Sequence, residues 1–176
     1  MVPSNRKPTS TRNSSERRLN ETINKKTFQD HLFENKITFF KSKDINKDAN
    51  LDKIINKSAI GVSMGAPWIF QSILIEKFKR KLLNMHCTRL PKYRGGGGFS
   101  WRIMNDEKLG CSLIHEIDVG IDTGDIMKIE KFNFPDSCKI PKNYEDFQHK
   151  QDLLFFEDFL IKIKNNNNFI RLKQNE

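Results

Sequence analysis

Asn84, His86 and Asp122 are the side chains whose types and spacing could move an acyl group. Asn84 and His86 stand two apart at the end of LLNMH (82–86), a short apolar run that predicts a strand. Alternation along a strand places both on one face. An amide donor beside an imidazole can hold an oxyanion and move a proton. A carboxylate near the imidazole, here Asp122, favours its charged form and fixes its orientation. Together these groups suit acyl transfer to an amine by polarisation and proton shuttling, with neither a metal nor a covalent nucleophile. By residue type alone the signal is weak. A strand-end histidine is more often a packing residue than a catalytic one, and Asp122 is one acid among many.

The elements that must position these residues follow from periodicity. Residues 1–15 are polar, rich in Ser, Thr, Asn and Arg, and expected to be disordered. From Glu16 to Lys36 the apolar spacing predicts a helix, and ITFFK (37–41) predicts a strand. A weak helix is expected near Leu51–Ile55, then a buried strand at AIGVS (59–63) that ends in a glycine turn. WIFQSILIEKFKRK (68–81) reads as an amphipathic helix. After LLNMH comes an irregular loop, CTRLPKYRGGGG, where Pro91 and four glycines exclude regular structure. FSWRIMND (99–106) suits a helix, CSLIHEID and DIMKIEKFNF two strands, and Tyr144–Lys164 a long helix. That helix carries Phe147, Leu153, Leu154, Phe156, Phe159 and Leu160 on or near one stripe; FIRLK (169–173) is a candidate last strand. Alternating strands and helices, with short apolar strands, predict an α/β three-layer domain around a parallel sheet. In such sheets sites lie where loops leave the carboxyl ends of strands, here after LLNMH and after CSLIHEID.

Bulk properties narrow the classes. A chain of 176 residues can bury one real core, and two compact domains are not expected. No apolar run approaches the roughly 18 residues of a membrane helix, and the polar N-terminus cannot be a secretory signal, so cytoplasm is the expected compartment. Cys87, Cys111 and Cys138 are too scattered for a zinc knuckle or a disulfide framework. Cys87 sits beside the proposed site, and a small loop residue is the simpler reading of it than a nucleophile. The net charge of +9 is partly local, with Arg89, Lys92, Arg94 and Arg102 crowding the glycine loop, and favours an anionic partner. No aromatic-interleaved basic array accompanies it, so nucleic acid is not the expected partner.

The stretch LLNMHCTRLPKYRGGGGFSWRIMNDEKLGCSLIHEIDVGIDTGDIM closely resembles the folate-dependent formyltransferase family, which includes glycinamide ribonucleotide, methionyl-tRNA and nucleotide-sugar N-formyltransferases. The family pattern is met by Asn84, His86, Leu90, Pro91 and Gly95, then Asn105-Asp106, Gly110, His115 and Ile121-Asp122-Thr123-Gly124. The resemblance is strong over Ser58–Met127 and looser beyond. It implies a three-layer Rossmann-like formyltransferase fold with a mostly parallel sheet. It also implies 10-formyltetrahydrofolate as cosubstrate, no metal, and catalytic roles for Asn84, His86 and Asp122. Asn84 would bind the formyl oxygen and His86 would pass a proton to the departing folate nitrogen. Asp122 would hold His86 charged, and His115 either supports Asp122 or simply packs. Trp68, Ile69 and Phe70 fall where the family contacts the pterin, and Asp118, Gly120 and Ile121 belong to the loop that would wrap it.

RGGGGFSW resembles the sugar N-formyltransferase-like branch, which implies a nucleotide-linked amino sugar as acceptor. Arg89, Lys92 and Arg94 would then meet its diphosphate, and Phe99 or Trp101 would stack on its base or sugar. Packing in the core is the competing role for Trp101. A methionyl-tRNA-like acceptor and an inactive folate- or nucleotide-binding remnant are the alternatives. A homodimer is compatible with the family. The resemblance also implies a first strand that MVPSNRKPTSTRN is too polar to supply. The expectation is therefore a catalytic domain over 16–176, shortened at both ends.

Overall fold

The computed structural model describes residues 26–96, 98–165 and 168–174, with the side chains of 98 and 99 left aside. The tail expected over 1–15 and residues 16–25 of the expected helix lie outside the described residues. Two compact units are distinguished, Met1–Lys41 and Ser42–Glu176.

In the first unit, α1 (Phe28–Glu34) starts at a capping box. Thr27 Oγ1 accepts from the Asp30 amide (3.2 Å), and Asp30 Oδ2 accepts from the Thr27 amide (2.7 Å). The ITFFK segment is not a strand. Its β-prone residues lack a ladder partner among the described residues, and pairing decides a strand more than propensity does.

In the second unit, a short 3-10 turn (Ile45–Lys47) and α2 (Leu51–Ile54) precede β1 (Gly61–Met64). Then come α3 (Ser72–Lys77), β2 (Leu82–His86), α4 (Gly98–Met104), β3 (Leu109–Glu116), β4 (Ile126–Asn133) and α5 (Pro141–Lys164). Strand order is β1-β2-β3-β4. Only β1 and β2 run parallel, with Ser63 opposite Asn84; β2–β3 and β3–β4 are antiparallel. The α/β class stands, and the expected predominance of parallel pairing gives way to a mixed sheet. β3 is buried on both faces, so it reads as an apolar-rich run although it pairs antiparallel, and composition does not reveal its direction.

Helix α3 starts four residues later than its apolar spacing predicts. Asn46 explains the delay: its Nδ2 donates to Ile69 O (3.0 Å) and its Oδ1 accepts from the Gln71 amide (2.8 Å), which holds 68–70 out of the helix. Lys79 and Arg80, both at positive φ, follow its C-terminal end.

One face of the sheet, carrying Leu83 and Ile114, packs on Phe155 and Phe159 of α5. Each of these four is at most 2% exposed, and burying such a side chain stabilises by about 1.5–3 kcal/mol. The buried stripe of α5 is Tyr144, Gln148, Phe155 and Phe159. Leu153, Leu154 and Leu160, expected on it, are exposed. With apolar residues spread around the helix, the facing sheet selects the stripe, and it includes a glutamine that donates to Cys111 O (2.9 Å). On the opposite face Leu113 and Cys111 of β3 pack with Leu90 of the loop that follows β2. FIRLK contributes one antiparallel bridge, Leu172 with Ile126, in place of a full strand.

Candidate active site

Strand β2 delivers Asn84 and His86 to the face opposite α5. Antiparallel register puts His115 of β3 directly across from Asn84 and Leu113 across from His86. Because β3 runs antiparallel, its carboxyl end lies beside the start of β2, where the Ile117 amide donates to Leu82 O (2.8 Å). The loop after β3 therefore does not leave the sheet where the loop after β2 does. It folds back, and Asp122 reaches Asn84 with φ +52, in the left-handed region that side chains with a Cβ disfavour.

The three side chains converge. Asn84 Nδ2 donates to Asp122 Oδ1 (3.2 Å) and lies 3.2 Å from His115 Nε2. Asp122 Oδ2 accepts from the Gly95 amide (2.8 Å) and lies 3.9 Å from His86 Nδ1. His115 Nε2 is 3.3 Å from Asp122 Oδ1, while its Nδ1 donates to Glu116 O (2.7 Å). The tautomer of His86 follows from its partners. Thr88 Oγ1 gives its proton to Tyr93 O (2.7 Å), so both Thr88 Oγ1 (2.5 Å) and Tyr93 O (3.1 Å) can only accept from His86 Nε2. The proton is on Nε2, and the lone pair of Nδ1 faces Asp122.

Burial pushes the His86 imidazole below its ordinary 6.5, assisted by His115 and Arg102; the Asp122 charge and the Tyr93 carbonyl oppose this without cancelling it. The Asp122 charge does favour the protonated imidazole, in the expected direction, but at 3.9 Å it is outweighed by desolvation. Asp122 behaves differently. Burial pushes its carboxyl up, but the His115 bond, the Gly95 amide and His86 bring it down to about 2. Near neutral pH the pair is a carboxylate beside a neutral imidazole whose free lone pair points toward it. Burial raises the Cys87 thiol, which argues against a thiolate nucleophile at this position.

These residues line a cavity of about 870 Å³. Trp68, Ile69, Phe70, Asp118, Gly120 and Ile121 also line it, together with Gly95, Gly96, His149 and Asp152. The basic loop residues turn to protein partners. Arg89 and Lys92 pair with Glu107, Arg94 donates to Gln174 Oε1, and none of the three lines the cavity. Trp101 is 58% exposed and also outside the cavity wall, so it is not a core residue. The side chain of Phe99 lies outside those described.

Sequence reasoning missed several contributors. Thr88 and Tyr93 set the His86 tautomer, Gly95 N–H binds Asp122, and Asp152 sits in the cavity wall, its carboxyl raised by burial despite bonds from Ser112 Oγ (2.5 Å) and Gln148 Nε2 (2.7 Å). Only the glycine run gave a signal; the others are ordinary residues until the fold assembles them.

The sequence model of the formyl transferase family matches residues 5–150. The chain belongs to this family. A methionyl-tRNA formyltransferase of Finegoldia magna is 27% identical over 95 residues, covering 54% of this chain and 30% of that protein. An N-formyltransferase from Helicobacter canadensis, solved with folinic acid and dTDP-3-aminofucose, is 27% identical with a TM-score of 0.67, covering 86% of this chain and 52% of that one. WlaRD, a sugar 3N-formyl transferase solved with dTDP and 5-N-formyl-THF, is 28% identical with a TM-score of 0.65, covering 86% of this chain and 51% of that one. The chain thus spans about a third to a half of these relatives' lengths. Among the described residues, no helix is long and apolar enough to cross a membrane, and no group of three or more His, Cys, Asp or Glu could hold a metal ion.

Proposed function

We propose that this formyltransferase-family chain transfers a formyl group from 10-formyltetrahydrofolate to a primary amine at Asn84, His86 and Asp122. The observation that carries the reading is the meeting of these side chains in the lining of the 870 Å³ cavity. The aromatic and apolar side chains of Trp68, Ile69, Phe70 and Ile121 fit a flat pterin ring, and Asp118 supplies a polar edge. Both similar solved sugar formyltransferases hold a reduced formyl folate. Bound folate would supply the activated one-carbon group.

The protein's part is proton handling and charge placement. As the amine nitrogen attacks the formyl carbon, His86 Nδ1 takes the amine proton, since its lone pair is free in the tautomer imposed by Thr88 and Tyr93. Asp122, ionised over the whole physiological range, stabilises the imidazolium that forms. The carbonyl electrons move onto oxygen, which the Asn84 amide is placed to stabilise as a hydrogen-bond donor. Collapse breaks the bond to the folate nitrogen, which receives the proton from His86.

For the acceptor we propose a nucleotide-linked amino sugar. The support is the likeness to the two sugar N-formyltransferases and the RGGGG loop. Likeness to methionyl-tRNA formyltransferases favours the second reading, a tRNA-borne amine. The test incubates the full chain with 10-formyltetrahydrofolate and, separately, a panel of amino-sugar nucleotides and methionyl-tRNA. Turnover of a sugar that Asn84→Ala and His86→Ala both abolish supports the reading. Turnover of tRNA alone replaces the acceptor, and folate binding without any turnover overturns the enzyme.

A further inference from the structure

Residues 168–174 follow α5 and end at a side chain that no motif singles out. The carboxamide of Gln174 uses its whole bonding capacity. Its Nε2 donates to the carbonyls of Asp122 (2.9 Å) and Gly124 (2.7 Å), and its Oε1 accepts from Arg94 Nε (3.3 Å) and Nη2 (3.2 Å). The segment is anchored just before this point. Leu172 and Ile126 exchange both backbone bonds (2.8 and 2.9 Å), and Arg171 Nε donates to the buried carboxylate of Glu116.

What Gln174 grips is the strained part of the loop. Asp122 holds φ +52, a conformation that persists in residues with a Cβ only where neighbours over-determine it. The Asp122 carboxylate is fixed by Asn84, His115 and Gly95; its backbone is fixed by Gln174. Through Arg94, the same carboxamide also reaches the residue preceding Gly95, whose amide binds Asp122 Oδ2. One amide therefore ties together the two loops that deliver the carboxylate and its donor.

We propose that Gln174 is a positioning residue for Asp122, setting the distance of its carboxylate from His86. The proposal rests on the reading of Asn84, His86 and Asp122 as the transfer site. Gln174→Met keeps length and removes both donors and the acceptor without adding charge; Gln174→Ala removes the side chain. Thermal unfolding establishes that each is folded. Two quantities are then measured: kcat for formyl transfer, and the titration midpoint of His86 by NMR. Asp122 is the charge that raises that midpoint, against His115 and Arg102. Both variants are expected to lose about tenfold or more in kcat, the scale of a carboxylate displaced by a fraction of an ångström, with folate KM changed less than about threefold. The His86 midpoint should move down in both. In the Asp122→Asn background neither variant should change kcat or the midpoint further. An unchanged His86 midpoint in Gln174→Met, or an equal loss of kcat in the Asp122→Asn background, overturns the proposal. If no acceptor is turned over by the unsubstituted chain, the transfer reading fails, while the His86 midpoint still decides whether Gln174 places Asp122.

Discussion

Gly124 tests how finely the fold-back of the β3–β4 loop is set. A Cβ built there falls 1.9 Å from the carbonyl oxygen of Glu116 and 2.8 Å from its carbonyl carbon. Ordinary contact begins near 3.4 Å, so Gly124→Ala must move the two backbones apart by about 1.5 Å. No side chain can rotate to relieve this. The Glu116 backbone is itself held, its amide donating to Asp125 O (2.9 Å). Two residues away, Asp122 keeps its place through bonds of 2.8 Å to Gly95 and 3.2 Å to Asn84. A shift of that size stretches both beyond hydrogen-bond range. With Asp122 in its proposed role, a misplacement of about 1 Å costs on the order of 100-fold in rate, so kcat of Gly124→Ala should fall by about that factor. Gly61→Ala is the control. Its Cβ would meet side-chain atoms, Leu82 Cδ1 at 2.7 Å and Phe78 Cε1 at 2.8 Å, so it should lower the melting temperature while kcat stays near that of the unsubstituted chain. The assay is steady-state formyl transfer, with thermal unfolding to set equal folded fractions. Gly124→Ala retaining kcat within about threefold would refute the reasoning.

Other outcomes follow from the same geometry. Because the folded His86 midpoint lies below 6.5, its contribution to stability is complete above that pH and declines as pH falls through the folded value; the acid limb of kcat should also centre below 6.5 and move lower still in Asp122→Asn, as an NMR titration and a pH–rate profile would record. Asp122, lowered from 3.8 to about 2, contributes stability that is present above 3.8 and lost as pH falls through about 2. After solvent screening this amounts to about 1–2 kcal/mol, so Asp122→Asn should cost that much at pH 7 and nothing at the acid extreme, measured by denaturant unfolding. Trp68 lines the cavity and Trp101 does not, so folate should quench fluorescence in Trp101→Phe and fail to do so in Trp68→Phe. Phe159 is fully buried against the sheet, and Phe159→Ala should lose about 3–5 kcal/mol without changing which residues line the site.

Much of the site was legible because its signals are local. Two residues apart on a strand must share a face, so Asn84 and His86 could be paired from LLNMH alone, and the glycine run declared a loop beside them. The strands β1 to β4 and the helix α5 were likewise written in apolar period and in the prolines and glycines between them. Strand direction was not: apolar runs buried on both faces look alike whichever way they run, so the mixed sheet emerged only on pairing. ITFFK shows the same limit from the other side, since a β-prone run becomes a strand only when a ladder accepts it.

The charge state of the site was decided entirely in three dimensions. Residue types promised a charged histidine beside an aspartate; the burial of His86, and the carbonyl and hydroxyl at Nε2, make it neutral with its lone pair toward Asp122. Arg89 and Lys92 read as free cations until Glu107 is found between them, and Gln174 carries no signal until the chain returns it to Asp122. Sequence determines which groups exist and which face of an element each occupies, because covalent geometry and periodicity are local. Only the tertiary structure decides what they meet, because desolvation and hydrogen-bond partnership depend on segments far apart in the chain.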